Sequence, residues 1–461
     1  MLFEFDADQR LWQDSVRRAV AKECPPALVR AVADEAADPG PLWRAWNRLG
    51  WTELTAPGEA VELAIVLEEL GRAADPTPYL ATMTQFAPLA PGDHRPGVAG
   101  AAVLDGVTAR PDGGGWLLDG TAPHVLDGDR ADRLAVVTGA GVFTVPAEAV
   151  TATRVPAFDP LLHVAEVTFD GVLVTTADAT GADTGPDTDT AERTDERTDE
   201  RADTRTSAGI NANSRAGTSV GADVRTGANF SAGTDAGTIT GTGGGTDVRT
   251  AADVRTAAGI GTGTSAGVDV CIGAGIGGGV SAGSSYARDL ALTGMAVTMV
   301  GACRRVLDLT LEHVRSRHQF GAPIGSYQAV KHKAADMHVA VRRARALAYY
   351  AALTIAAGDP RRGTAATMAK AAAGECQSVV FRNGLQLFGA MGFTWENDVQ
   401  FALKRAKAGE LMLGGAAEHR ARLAAEHLAG GRPTGDPLAG GRPGAGRPPV
   451  TDGGERHAAH L

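Results

Sequence analysis

Two short stretches of this 461-residue chain carry the side chains best suited to holding a ligand. The first runs Arg317-His318-Gln319-Phe320-Gly321-Ala322-Pro323-Ile324-Gly325-Ser326-Tyr327-Gln328. It offers a cation, an aromatic ring and a glycine-permitted turn within five residues, a set able to hold a phosphate and a planar ring system. The same residues serve equally well as an interhelical loop with a surface arginine. In the second, Gln386-Leu387-Phe388-Gly389-Ala390-Met391-Gly392-Phe393-Thr394, Gln386 can donate or accept, and Gly389 and Gly392 permit close backbone approach. Glycine is also a common way to stop a helix. Gly273-Ala274-Gly275-Ile276-Gly277-Gly278, after Val270-Cys271-Ile272, formally matches a dinucleotide fingerprint. It lies in a glycine-saturated tract with a long helix rather than a second strand after it, so chance accounts for it. Cys24, Cys271, Cys303 and Cys376 are too widely spaced for a metal site or a disulfide framework, and no metal is expected.

The elements that must position these residues show in the periodicity. Residues 1–92 read as helical: Phe3, Phe5, Leu11, Val16 and Val20 fall near one stripe, with Asp6 placed to cap its start. Val61, Leu63, Ile65, Val66, Leu67 and Leu70 give a second apolar face. Over 93–176 the period changes to short β-rich runs separated by Gly, Asp and Pro, the pattern of a small antiparallel domain. Residues 177–285 contain no Leu, Met, Trp, Tyr or Lys and only one Phe, Phe230, so they read as a long disordered insertion. Helical spacing returns over 286–430, where Leu290, Val297, Val300, Leu307 and Leu311 recur at intervals of three, four and seven. Helices over 325–357, 363–389 and 396–428 complete a bundle of four or more. Residues 431–461 are Pro-, Gly- and Arg-rich and read as a loose tail.

Together the two ligand-suited stretches resemble the acyl-CoA dehydrogenase family. Arg317 through Gln328 matches the family's arginine, Phe-Gly, Pro-Ile and Gln after the first C-terminal helix, and Ala329 to Met337 continues it. Gln386-x-Phe-Gly with Gly392-Phe393-Thr394-Trp395-Glu396 matches a second motif. Val66-Leu67-Glu68-Glu69-Leu70-Gly71-Arg72 is similar to the N-terminal helical domain, and Phe158-Asp159-Pro160 and Ala165 to Val172 to the close of the β domain. The resemblance covers about 1–176 and 286–430. It implies an α+β fold: an N-terminal α-helical domain, a small middle β domain and a C-terminal four-helix bundle.

It also implies FAD, held by Arg317, Gln319, Phe320, Gln328, Gln386, Phe388 and Gly389, partly across a subunit interface. The implied reaction takes an α-proton from an acyl-CoA thioester with a glutamate and passes the β-hydride to flavin N5, on the opposite face. Here the chain departs from the pattern. The position resembling the catalytic glutamate is Leu413, followed by Gly414; the alternative position on the first bundle helix is about Ala291. The nearest carboxylates are Asp289 and Glu410, the latter a weak candidate for a displaced base. In the middle domain His124-Val125-Leu126 replaces the usual Trp-Ile-Thr or Trp-Ile-Ser strand, and Leu104-Asp105-Gly106-Val107 stands where an acidic-Pro-Gly-Ser stretch is usual. A lone histidine is more often ordinary surface or core, but His124 can lie near the flavin.

Three readings follow: a subunit of a hetero- or homo-oligomer with a homologous chain, as in sterol side-chain breakdown; a self-sufficient dehydrogenase; or a non-catalytic structural partner that has lost the base and the flavin. An electron-transfer acceptor is implied for the first two. The net charge is −10, of which 177–285, with 15 acidic and 8 basic residues, supplies −7. The remainder is near neutral and gives no case for nucleic acid or an anionic membrane. There is no uninterrupted run of about 18 apolar residues and no basic-then-apolar start, so no membrane span and a cytoplasmic location are expected.

Overall fold

A computed structural model describes residues 5–175, 179–180 and 282–429. The 273–278 glycine motif, Phe3, Cys271, residues 431–461 and nearly all of 177–281 lie outside them. The N-terminal helices are α1 (Ala7–Glu23), α2 (Pro26–Glu35), α3 (Gly40–Arg48) and α4 (Ala60–Ala73). They are followed by α5 (Tyr79–Ala81), a π-helical stretch over Thr82–Phe86 and α6 (Ala87–Leu89). Asp6 caps α1 as its position predicts, accepting from the Gln9 N–H while the Gln9 side chain accepts from the Asp6 N–H. Phe5, Val16 and Val20 are buried, but Leu11 is 66% exposed and drops out of the expected stripe.

The middle region holds β1 (Gly100–Val103), β2 (Val107–Asp112), β3 (Gly115–Leu126), β4 (Arg133–Thr138), β5 (Gly141–Pro146), β6 (Thr151–Val155), β7 (Val164–Thr175) and β8 (Ala179–Thr180). They form two four-stranded sheets, ordered β1-β4-β5-β8 and β2-β3-β7-β6. Their apolar faces share one core that includes Val103, Leu118, Leu134, Phe143, Val145 and Val167. Two details correct the sequence reading. β1 pairs with β4 in parallel, so the domain is not wholly antiparallel. Ala179–Thr180, inside the stretch read as an insertion, pairs with β5.

The bundle comprises α7 (Ala282–Ser316), the hairpin strands β9 (His318–Gln319) and β10 (Ala322–Pro323), α8 (Gln328–Ala356), α9 (Arg362–Phe388), α10 (Val399–Leu411) and α11 (Ala416–Ala429). Leu290, Val297, Val300 and Leu307 are buried, as their spacing predicts. The Ser285–Ser316 part of α7 is long and apolar enough to cross a membrane, yet 89% of its most apolar window is buried inside the protein. Its apolar character follows from packing on all sides. Contact with α4 is close: a Cβ on Gly71 would lie 2.2 Å from the Thr298 carbonyl oxygen, and one on Gly301 2.0 Å from that of Glu68. Only glycine lets the two backbones meet there. Beside this crossing, buried Glu68 accepts from Arg304, Arg345 and Tyr349, which joins α4 to α7 and α8. The paired cations hold its carboxyl below the usual range, although burial acts the other way and is the largest single influence.

Candidate functional site

The Arg317–Gln328 connector is a tight hairpin. His318 and Gln319 pair with Pro323 and Ala322, and the turn residues Phe320 (φ 53°) and Gly321 (φ 81°) both adopt the left-handed region. Two successive positive φ values are what a two-residue hairpin turn requires. The Ile324 N–H donates to the Arg317 carbonyl at 2.8 Å, and the Tyr327 hydroxyl to that of Gln319 at 3.1 Å. The turn thereby lifts the Phe320 ring into solvent, 93% exposed, with only the edge of Tyr327 near it at 6.5 Å. Arg317, Gln319 and Gln328 are exposed too, and among the described residues the Arg317 guanidinium has no hydrogen bond or ion pair.

The second stretch ends α9 at the same end of the bundle. Gln386 and Gly389 are exposed, and Gly389 (φ 62°) turns the chain out of the helix while its N–H still donates to Leu385. Phe388 differs from expectation. Its ring is buried and stacks on His313, one turn before Arg317, with centroids 4.6 Å and planes 22° apart. Burial, with Arg317 as a second influence, lowers the His313 pKa. The Lys333 ammonium of α8 reaches Asn383 of α9 at 3.4 Å and ties the two helices just below. The structure therefore brings both motifs together through His313, a residue the sequence reading did not single out.

The Leu413 position lies elsewhere, on a cavity of about 260 Å³ between the sheets and the turn from α10 to α11. Leu413 is buried and has φ 56°, followed by Gly414 at φ 85°. Leu104, Val125, Leu126, Phe158, Leu162, Leu411 and Met412 make most of the lining apolar. Gln85, Asp105 and His124 supply the polar side chains. His124 arrives there through a bulge. Ala122 pairs with Val167 and Val125 with Ala165, so Pro123 and His124 carry one residue too many for the ladder. Pro123, which lacks an N–H, was the sequence signal for this irregularity. Asp105 follows β1 at the cavity mouth. The apolar walls push its carboxyl above the ordinary range even though its outer side meets solvent, and His124 pulls it back.

Glu410 does not line this cavity. One of its oxygens accepts from the Ala416 N–H at 3.0 Å, and the other is buried against Gly374 of α9 without a partner. Ala291 is a core residue, and Asp289 is paired with Arg288 at 3.4 Å and Arg362 at 3.1 Å. No carboxylate other than Asp105 borders the cavity among the described residues. Behind the Leu413 turn, buried Lys370 donates to the Gly414 carbonyl at 2.6 Å and His419 to that of Leu413 at 2.8 Å. Burial lowers Lys370 to about 8 despite Glu410 and Glu418, and lowers His419 to about 4 with Lys370 adding to the effect. Among the described residues no three His, Cys, Asp or Glu side chains group as a metal site would require.

Comparison with known proteins gives two family matches. Residues 6–90 match the acyl-CoA dehydrogenase N-terminal domain, and residues 291–429 match the acyl-CoA dehydrogenase C-terminal domain. Among individual proteins, the chain is 40% identical over 138 residues to acyl-CoA dehydrogenase IpdE2 of Mycolicibacterium smegmatis. That match covers 30% of this chain and 42% of the relative, less than half of the relative's own length. In fold the chain is similar to the ChsE4-ChsE5 complex from Mycobacterium tuberculosis, with a TM-score of 0.65 and 20% identity over 93% of this chain and 99% of that one. It is similar also to a glutaryl-CoA dehydrogenase from Mycobacterium smegmatis in complex with FADH2, with a TM-score of 0.64 and 16% identity over 93% and 96% of the two chains. At such identities the likeness of structures speaks for the fold alone.

Proposed function

The chain belongs to the acyl-CoA dehydrogenase family, and from that premise we propose that it takes part in FAD-dependent α,β-dehydrogenation of an acyl-CoA thioester. It acts in the cytoplasm as one subunit of an oligomer with a homologous chain. The observation that carries this reading is the hairpin at Arg317 to Phe320. Among the described residues the Arg317 guanidinium is unpaired and the Phe320 ring is uncovered, at the end of the bundle that also carries exposed Gln386 and Gly389. A charge and a ring left open to water are poor choices for a mere connector. They suit a ligand with a phosphate at one end and a planar base at the other.

The residues present thus fit the adenine half of FAD. Arg317 would face its pyrophosphate, Phe320 and Gly389 its flat surfaces, and Gln319, Gln328 and Gln386 its polar edges. When bound, FAD supplies the acceptor for the hydride lost from the thioester's β-carbon. This chain's cavity supplies an apolar lining that keeps water from the acyl chain, with Gln85, Asp105 and His124 as polar contacts. It does not supply a base at Leu413, because a leucine cannot hold a proton. The α-proton therefore passes to a carboxylate of the partner subunit, and a steroid side-chain thioester is the substrate to assay first.

The test is to purify the chain alone and together with a homologous partner, then measure flavin absorbance and acyl-CoA turnover with an electron-transfer acceptor. Flavin bound with turnover only in the presence of the partner is the expected result. Turnover by the chain alone would place a base within it. No flavin in either state would overturn the proposal in favour of a non-catalytic structural subunit.

A further inference from the structure

Of the three polar side chains on the wall of the Leu413 cavity, Asp105 and His124 also meet solvent, whereas Gln85 is only 4% exposed. The Gln85 amide has no hydrogen bond among the described residues. It sits in the π-helical stretch Thr82–Phe86, where the Ala87 N–H donates to the Thr82 carbonyl five residues back. Single π turns of this kind recur at functional sites. The stretch is locked on two sides. The Thr82 hydroxyl accepts from the Gly100 N–H of β1 at 3.0 Å and donates to the Gly100 carbonyl at 3.1 Å. The Thr84 hydroxyl donates to the Leu80 carbonyl at 2.7 Å. A Cβ on Gly294 of α7 would meet the Thr84 methyl group, and one on Gly100 the Phe86 ring. Thr82, Thr84 and Phe86 thus bond or pack to protein, while Gln85 borders the cavity.

A plain hydrocarbon chain filling this cavity would strip water from the Gln85 amide and return nothing for it. Leucine or methionine would fill the same space without that penalty. A primary amide both donates and accepts, so a ketone or hydroxyl on the acyl chain would take the place of the displaced water. Asp105 and His124 keep access to solvent and have no such need. Resting on the dehydrogenase reading above, we propose that Gln85 is a specificity-determining residue. It selects acyl-CoA thioesters that bear a ketone or hydroxyl oxygen on the acyl chain. The locked backbone around it fixes how far along the chain that oxygen lies.

The test is calorimetric titration of the full-length chain, alone and with its partner. The probes are hexanoyl-CoA thioesters with a ketone at the fourth or the fifth carbon, and controls of similar shape with a methyl branch at the same carbon. One ketone thioester is expected to bind about tenfold more tightly than its methyl control. In Gln85→Leu that preference should vanish or reverse. If Gln85→Leu fails to fold, Gln85→Met makes the same comparison with an unbranched side chain of similar length. Ketone and methyl thioesters bound equally by wild type would overturn the inference and leave the dehydrogenase reading in place. So would a preference that survives the substitution. Flavin lost from the variant with the preference intact would assign the amide to the cofactor, and overturn it too. No thioester bound in either state would overturn the dehydrogenase reading, and this inference with it.

Discussion

His313 and Phe388 stack with ring centroids 4.6 Å apart, and this contact joins the helix before the Arg317 hairpin to the end of the helix that carries Gln386. Everything proposed for the adenine half of FAD depends on those two motifs holding a fixed separation. A stacked pair is rigid in a way that two exposed loops are not.

His313→Ala is therefore expected to remove about 1–3 kcal/mol of stability, through lost stacking and the space left behind. It should also weaken flavin retention by roughly tenfold, the equivalent of about 1.4 kcal/mol. His313→Phe, which restores an aromatic face, should recover both. Flavin released on dialysis of each variant measures the effect. Retention unchanged in His313→Ala would show that the two motifs do not need this contact.

Arg405 joins three regions. Its guanidinium donates to buried Asp159 at 2.6 Å, in the loop before β7, and to the Asp75 carbonyl of the N-terminal region at 3.0 Å. Removing one partner of a buried pair leaves the other uncompensated, so Arg405→Met should cost about 3–5 kcal/mol in urea unfolding. Adding Asp159→Leu should return much of that loss, because neither charge then remains buried. A double variant no more stable than Arg405→Met would mean that the Asp75 carbonyl, not the ion pair, sets the cost.

Much of this architecture was legible in the sequence, for a physical reason. The α7 residues Leu290, Val297, Val300 and Leu307 are spaced for one helical face, and burial of that face is local enough to read. Asp6 likewise announces the start of α1. The site was less legible because its geometry depends on distant partners. Phe388 was grouped with the exposed motif around it, and only the approach of His313 shows that it turns inward. Glu410 sits three residues before Leu413, which on a continuous helix would nearly share its face. The helix stops at Leu411, Met412 is extended and Leu413 left-handed, so the two side chains part. The parallel pairing of β1 with β4 bridges 29 residues and has no local signature.

Lys370 gives a pH signature. Its pKa is about 8 in the folded chain against 10.5 ordinarily, with burial as the main cause. Between those values the unfolded chain binds more protons, so this lysine makes stability rise with pH from about 8 to 10.5. Below pH 8 the cost of burying the charge is present in full. The difference in unfolding free energy between wild type and Lys370→Met isolates this effect from other groups. It should change by on the order of 2–3 kcal/mol across that window. A difference independent of pH would mean that Lys370 is solvated more freely than its burial implies.

The most direct test of the missing base is to supply one. Leu413 points into the cavity from a left-handed residue, a conformation no more strained for glutamate than for leucine. In Leu413→Glu the apolar lining should raise the new carboxyl's pKa, so its activity should climb as pH rises through the value at which it ionises. General-base catalysis typically contributes about 10²–10⁴-fold, and a gain of about 10² over wild type without the partner is expected, at unchanged flavin content. Glu410→Gln, by contrast, should leave turnover with the partner unaltered, since Glu410 caps α11 and faces α9. Should Leu413→Glu retain flavin and yet stay as inactive alone as wild type, the partner must contribute more than a carboxylate. The cavity would then be only half of the acyl-CoA site.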